Sequence, residues 1–152
     1  MGRGFTGLLW MVVILASSGC ALANGGDGGS GGDTQAFDLV LGDCFNAPGS
    51  AEVERVTVVA CSEEHDFEIF HTFELDDGAY PGAEQLEDQW IQGCLAQFEG
   101  FVGSTFDESA LDISAIFPTR ESWNELGDRE VLCSVTAVDG TPRSSSAAGS
   151  GA

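Results

Sequence analysis

Four cysteines, Cys44, Cys61, Cys94 and Cys133, lie behind an apolar leader, and they constrain the fold of this 152-residue chain more than any other feature. They fall within one stretch of about a hundred residues, the size of a single small domain. A domain that small buries only about two-thirds of the surface its unfolded chain exposes, so cross-links matter to it. In an oxidising compartment four cysteines imply two disulfides, with three connectivities open. Cys44–Cys61 would close a local loop and Cys94–Cys133 would tie a long helix to the last strand. This is the expected pairing. A zinc site is a poor alternative: no C-x-x-C pair occurs, and neither histidine has finger-like spacing to another ligand. No metal or other cofactor is expected.

The leader supplies the compartment. Arg3 and the amino terminus form a short positive region, and Phe5 to Ala16 is apolar. That run is shorter than the ~20 residues a membrane span needs and has the layout of a secretory signal. Ser18-Gly19-Cys20 resembles a bacterial lipobox, in which Cys20 is acylated and begins the mature chain, although Ser17 stands where Leu is usual. The alternative is an A-x-A site at Ala21-Leu22-Ala23, with cleavage before Asn24 and a secreted product. Either removes Cys20 from the disulfide count. The apolar run ends shortly before Cys20 and a Gly-rich stretch follows it, so the lipid anchor is favoured. The expected organisation is a signal over 1–20, a flexible tether over 21–36, a folded domain over 37–140 and a disordered tail over 141–152. That tail holds only Thr, Pro, Arg, Ser, Ala and Gly. The eleven polar and glycine residues from Asn24 to Thr34 would span about 18 Å on average.

Charge excludes some partners. The chain has 25 acidic residues against five arginines and no lysine, a formal net charge of −20. Phosphate neutralisation needs clustered Lys and Arg, so nucleic acid is not a partner. An anionic lipid surface would repel the domain as well. The expected contacts are the membrane, through the lipid, and an envelope protein or wall component.

Hydrophobic periodicity gives the elements. Glu54 to Cys61 is β-branched and reads as a strand. Phe67 to Leu75 alternates, with Phe67, Ile69, His71, Phe73 and Leu75 expected on one side. Pro81 opens a helix, and Leu86, Trp90, Cys94, Phe98 and Phe101 recur along it at three- and four-residue steps. Leu111 to Pro118 is a short strand, and Thr119 to Gly127 is a loop or single helical turn carrying Trp123. Arg129 to Val138 is the last strand, with Val131, Cys133, Val135 and Ala137 on one face. The order β-β-α-β-β predicts an α+β fold: a small antiparallel sheet with one long amphipathic helix on a face.

Several segments, taken in order, resemble a known family. They are Gly42-Asp43-Cys44-Phe45, then Cys61-Ser62-Glu63-Glu64-His65-Asp66-Phe67-Glu68, then Tyr80-Pro81-Gly82 before the helix with Cys94. Pro118, Trp123 and Gly127-Asp128-Arg129-Glu130-Val131-Leu132-Cys133 complete the set. The pattern, from Leu41 to Val138, resembles the septum-formation domain of Gram-positive envelope proteins. The resemblance implies a domain outside the membrane, behind a signal, lipid anchor or membrane helix, with a link to septum assembly. It brings no catalytic residues with it. The acidity and the lack of lysine depart from many members.

The candidate chemistry is sparse. His65 beside Asp66 is the most suggestive pair, and a small hydrolase using His65 with Asp66 or Glu64 is the enzymatic alternative. Ser62 sits in the same tight turn and cannot easily reach the far nitrogen, so a turn-bracing His65 is favoured. His71 reads as a core or edge residue. Trp123 and Arg129 are further candidate binding residues; a lid on the core and an internal ion pair or loop brace with Asp128 are the plainer expectations. Asp76, Asp77, Glu84, Glu87 and Asp88 would suit a cation-dependent adhesion module but lack EF-hand order. The best expectation is a non-enzymatic binding or assembly module of the envelope.

Overall fold

The computed structural model describes residues 32–46 and 55–152. The signal, Cys20 and most of the tether lie outside the described residues. Six strands are present: β1 (Gly32–Gln35), β2 (Cys44–Asn46), β3 (Arg55–Val59), β4 (Phe67–Glu74), β5 (Leu111–Ile116) and β6 (Glu130–Ala137). They form one antiparallel sheet in the order β1-β3-β2-β4-β6-β5. The single α-helix, α1 (Ala83–Val102), has 20 residues and ends on Gly103 in the left-handed region, whose N–H bonds the Glu99 carbonyl. The α+β class is as expected, with two more strands than the β-β-α-β-β order. One of them, β1, takes up the end of the segment expected to be tether.

Each face of the sheet carries a core. Phe70, Val131, Cys133 and Val135 pack with Cys94, Phe98 and Val102 of α1. On the opposite face Phe45, Val56, Val58, Ile69 and Leu132 pack under Ala36 and Leu39. A β-bulge between Ile69 and His71 separates these allegiances along β4. It corrects the expected alternation: Phe67 and Ile69 serve the second core, whereas Phe73 and Leu75 join Phe70 in the first. One extra residue at the bulge reverses the side-chain phase beyond it.

Both expected disulfides are present, Cys44–Cys61 and Cys94–Cys133, with Cα separations of 5.2 and 5.6 Å. Gly93, beside the second, lets α1 sit directly on β4. A Cβ there would lie 2.4 Å from Cζ of Phe73. Gly93→Val should therefore destabilise by about 1–3 kcal/mol through overpacking. The check is a lower urea midpoint at unchanged m-value.

The segment 141–152 is not a disordered tail. Arg143 and His65 exchange two backbone hydrogen bonds of 2.8 Å, and Ala147 is fully buried in the α1 core. The Glu68 carboxylate accepts from Ser146 Oγ and from the Ala147 N–H, both at 2.6 Å. Gly149 and Gly151 N–H groups bond the carbonyls of Phe101 and Val102 at the end of α1. Those carbonyls have no partner within the helix, so the segment acts as its C-terminal cap. Composition concealed this because the segment is held mostly by its main chain, with only Ser146 and Ala147 anchoring it by side chains.

Candidate functional site

The His65 turn is built from β2 and the loop before β4. Asn46 Oδ1 accepts the Asp66 N–H at 2.9 Å, and Asn46 Nδ2 donates to the Glu64 carbonyl at 3.1 Å. His65 Nδ1 lies 2.8 Å from the Glu63 carbonyl. A carbonyl only accepts, so Nδ1 carries the proton. His65 is 1% exposed, and its Nε2 has no partner among the described residues. The turn is thus braced around a ring that a solvent-borne substrate does not reach, and His65 and Asp66 form no open catalytic pair. Asp66 is half-buried and Glu64 exposed.

Trp123, Arg129, Tyr80 and Arg120 form a stack at the other end of the domain. The Arg129 guanidinium carbon lies 3.7 Å from the centre of the Trp123 ring, and Tyr80 meets that ring edge-on at 5.9 Å. The Arg120 guanidinium carbon lies over the Tyr80 ring, 4.6 Å from its centre. Trp123 is 4% exposed and donates Nε1–H to the Gly78 carbonyl at 3.0 Å. It is buried between Arg129 and Tyr80, apart from both core clusters, and no open face is left for a ligand. Arg129 Nη1 donates to the Trp123 and Asp128 carbonyls, while its Nε lies 3.3 Å from Asp77 Oδ1. The ion partner is therefore Asp77, not the expected Asp128. That contact is not aligned as a hydrogen bond, and Asp77 is almost wholly exposed. Such a pair contributes little. Asp128 does different work, accepting from Ser122 Oγ and the Glu130 N–H. Gly127, in the left-handed region, closes the π-helical turn Ser122–Leu126.

The motif residues therefore act mainly as framework. Gly42, at φ 92°, and Asp43 shape the turn before β2, with Asp43 Oδ2 accepting the Val40 N–H at 2.9 Å. Among the described residues the one set of three possible metal ligands close enough to share an ion is Cys44, Cys61 and Glu68. Its sulfurs are bonded to each other and its carboxylate holds Ser146 and Ala147, so the set is already committed. Asp76, Asp77, Glu84, Glu87 and Asp88 are all exposed. No helix among the described residues is long and apolar enough to cross a membrane.

The family model for septum formation matches residues 41–152, which runs through the packed C-terminal segment. The chain belongs to the septum formation family. Two uncharacterized membrane proteins of Mycobacterium tuberculosis strains are each 26% identical to it over 105 residues. The match covers 62% of this chain and 23% of each relative, so the chain spans about a quarter of the curated relatives' length. No solved structure matches it. This septum formation domain is thus a septum-related part of the cell envelope, and its similarity is to membrane proteins.

Sequence reasoning did not single out Phe37, Val40 and Leu41. They are 63, 60 and 63% exposed on the turn leading into β2. Residues 37–45 form a short apolar run in the sequence, and only the burial of Ala36 and Leu39 shows which way Phe37, Val40 and Leu41 face.

The acidic surface has a measurable consequence. Twenty net negative charges repel one another over a distance that salt sets. The Debye length falls from about 30 Å at 0.01 M to about 3 Å at 1 M. Added NaCl should raise the melting temperature, and CaCl₂ at matched ionic strength should add no saturable increment. A flat NaCl response would remove repulsion as a destabilising force. A saturable calcium effect would favour the cation-dependent module.

Proposed function

We propose that this septum formation domain is a non-enzymatic binding and assembly module, lipid-anchored at Cys20 on the outer face of the membrane and working at the division septum. The observation that carries the module over the hydrolase is the burial of His65, whose ring is bonded to its own turn and whose main chain is paired with Arg143. General acid–base catalysis needs that ring within hydrogen-bond reach of the substrate. Support for a tethered module comes from the sequence order: a lipobox-like Ser18-Gly19-Cys20, a Gly-rich stretch, then a cross-linked domain.

The test is a fusion of the full chain to a reporter that matures outside the membrane, followed through the cell cycle. Enrichment at the septum that persists in Glu64→Gln and Asp66→Asn supports the module. An even distribution, or septation lost in those two variants while the protein stays folded, overturns it. Mass spectrometry of the mature N-terminus checks the anchor. An acylated Cys20 is expected, and a chain starting at Asn24 would mean secretion.

A further inference from the structure

We infer that the turn bearing Phe37, Val40 and Leu41 is a preformed docking knuckle for a basic envelope protein. It would be received by an apolar cleft rimmed by Lys and Arg. The inference deepens the module reading and rests on it.

The chain builds this knuckle deliberately. Ala36 to Asp38 is a 3₁₀ turn, in which positions three apart share a side. Ala36 and Leu39 point into the second core and Phe37 and Val40 point out. The next four residues close a β-turn, with the Asp43 N–H bonded to the Val40 carbonyl at 3.1 Å and Gly42 at φ 92°. A positive φ at the third position marks a type II turn and places Leu41 at its tip. The turn is clamped on β4 by Gly42 N–H to the Ile69 carbonyl (2.8 Å) and Ile69 N–H to the Asp43 carbonyl (2.9 Å). Three large apolar side chains are thus held outward by a braced backbone, so docking does not need to order them first.

Charge selects the occupant. Asp38 is exposed on the knuckle itself. Asp33 on β1 accepts from Thr57, and Arg55, the exposed cation opposite Gln35, is outweighed on a chain of net charge −20. A second copy would bring like charge to like, and an anionic lipid surface would do the same. A cationic rim reverses that sign and steers the encounter. An aromatic and two aliphatic anchors inside a charged border match the usual anatomy of an interface, an apolar core with a polar rim.

The experiment places a photo-crosslinking phenylalanine analogue at position 37 of the full-length protein in its own cells. A matched label goes at Leu126, which is 79% exposed in the Ser122–Leu126 turn between β5 and β6. The expected result is one protein adduct at position 37, absent at 126, mapping to a segment with Lys or Arg around apolar residues. With that protein purified, Leu41→Glu should weaken binding at least tenfold without changing the melting temperature, and added salt should weaken it further. Adducts with phospholipid, adducts with a second copy, equal labelling at 126 or no adduct at 37 each overturn the knuckle. If septal enrichment survives such a result, the module stands and only this surface is wrong. If enrichment is also lost, the module reading fails with it.

Discussion

Glu68→Gln should lower the unfolding free energy by about 1.5–3 kcal/mol, the range for hydrogen bonds to a charged group. Glu68 is 4% exposed and its two oxygens accept from Ser146 Oγ and the Ala147 N–H. An amide oxygen can still accept the Ala147 N–H, but the amide nitrogen cannot accept from Ser146 Oγ. That hydroxyl must reverse to receive it, and both contacts lose the charge that strengthens them. The sign is what decides the matter. On a chain of net charge −20, removing a negative charge should stabilise if repulsion were all that mattered. A loss of stability means that the buried clamp outweighs that relief. Deleting residues 141–152 should cost more, about 3–5 kcal/mol, because it also empties the place of Ala147 in the core and uncaps the Phe101 and Val102 carbonyls. Urea unfolding gives the energies. Hydrogen exchange at Ala147, Gly149 and Gly151 should rise in Glu68→Gln before the rest of the domain is affected. An unchanged or raised midpoint would mean that the segment is only laid on the surface.

The contrast between this segment and α1 shows what pattern does and does not encode. Leu86, Cys94 and Phe98 announce a buried helical face because side chains make that contact, and side-chain period is visible in sequence. The same holds for Val131, Cys133 and Val135 on β6, and hence for Cys94–Cys133. Residues 141–152 are held largely through N–H and C=O groups, which residue types offer almost alike. Their two side-chain anchors, Ser146 Oγ on Glu68 and the buried Ala147, are too small and too few to make a pattern. The bulge in β4 was hidden for a related reason: Phe70 and His71 suit either face, and pairing with β6 decides where the extra residue goes. At the candidate sites, residue type suggested chemistry that burial withdraws. His65 and Trp123 carry reactive or ligand-binding groups, yet both spend them on neighbouring carbonyls. The outward turn of Phe37, Val40 and Leu41 was lost because a short apolar run does not say which of its members face the core.

Replacing both Cys94 and Cys133 by Ala should cost about 4 kcal/mol, against about 3 for the Cys44–Cys61 pair, since the stabilisation grows with the logarithm of the closed loop. The loops span 39 and 17 residues. Packing widens the difference. Cys94 and Cys133 both lie in the core between α1 and the sheet, so alanines there also leave a void beside Phe98 and Val102. Cys61 is partly exposed while Cys94 and Cys133 are fully buried. A thiol reductant under native conditions should therefore open Cys44–Cys61 first, leaving a folded species with one bridge. Cys94–Cys133 should yield only when α1 lifts from the sheet, and so at the rate of that opening. Mass tagging of free thiols over a reduction time course separates the two. Early tagging of Cys94 or Cys133, or a doubly substituted protein that unfolds with the wild type, would mean that α1 holds to the sheet by packing alone.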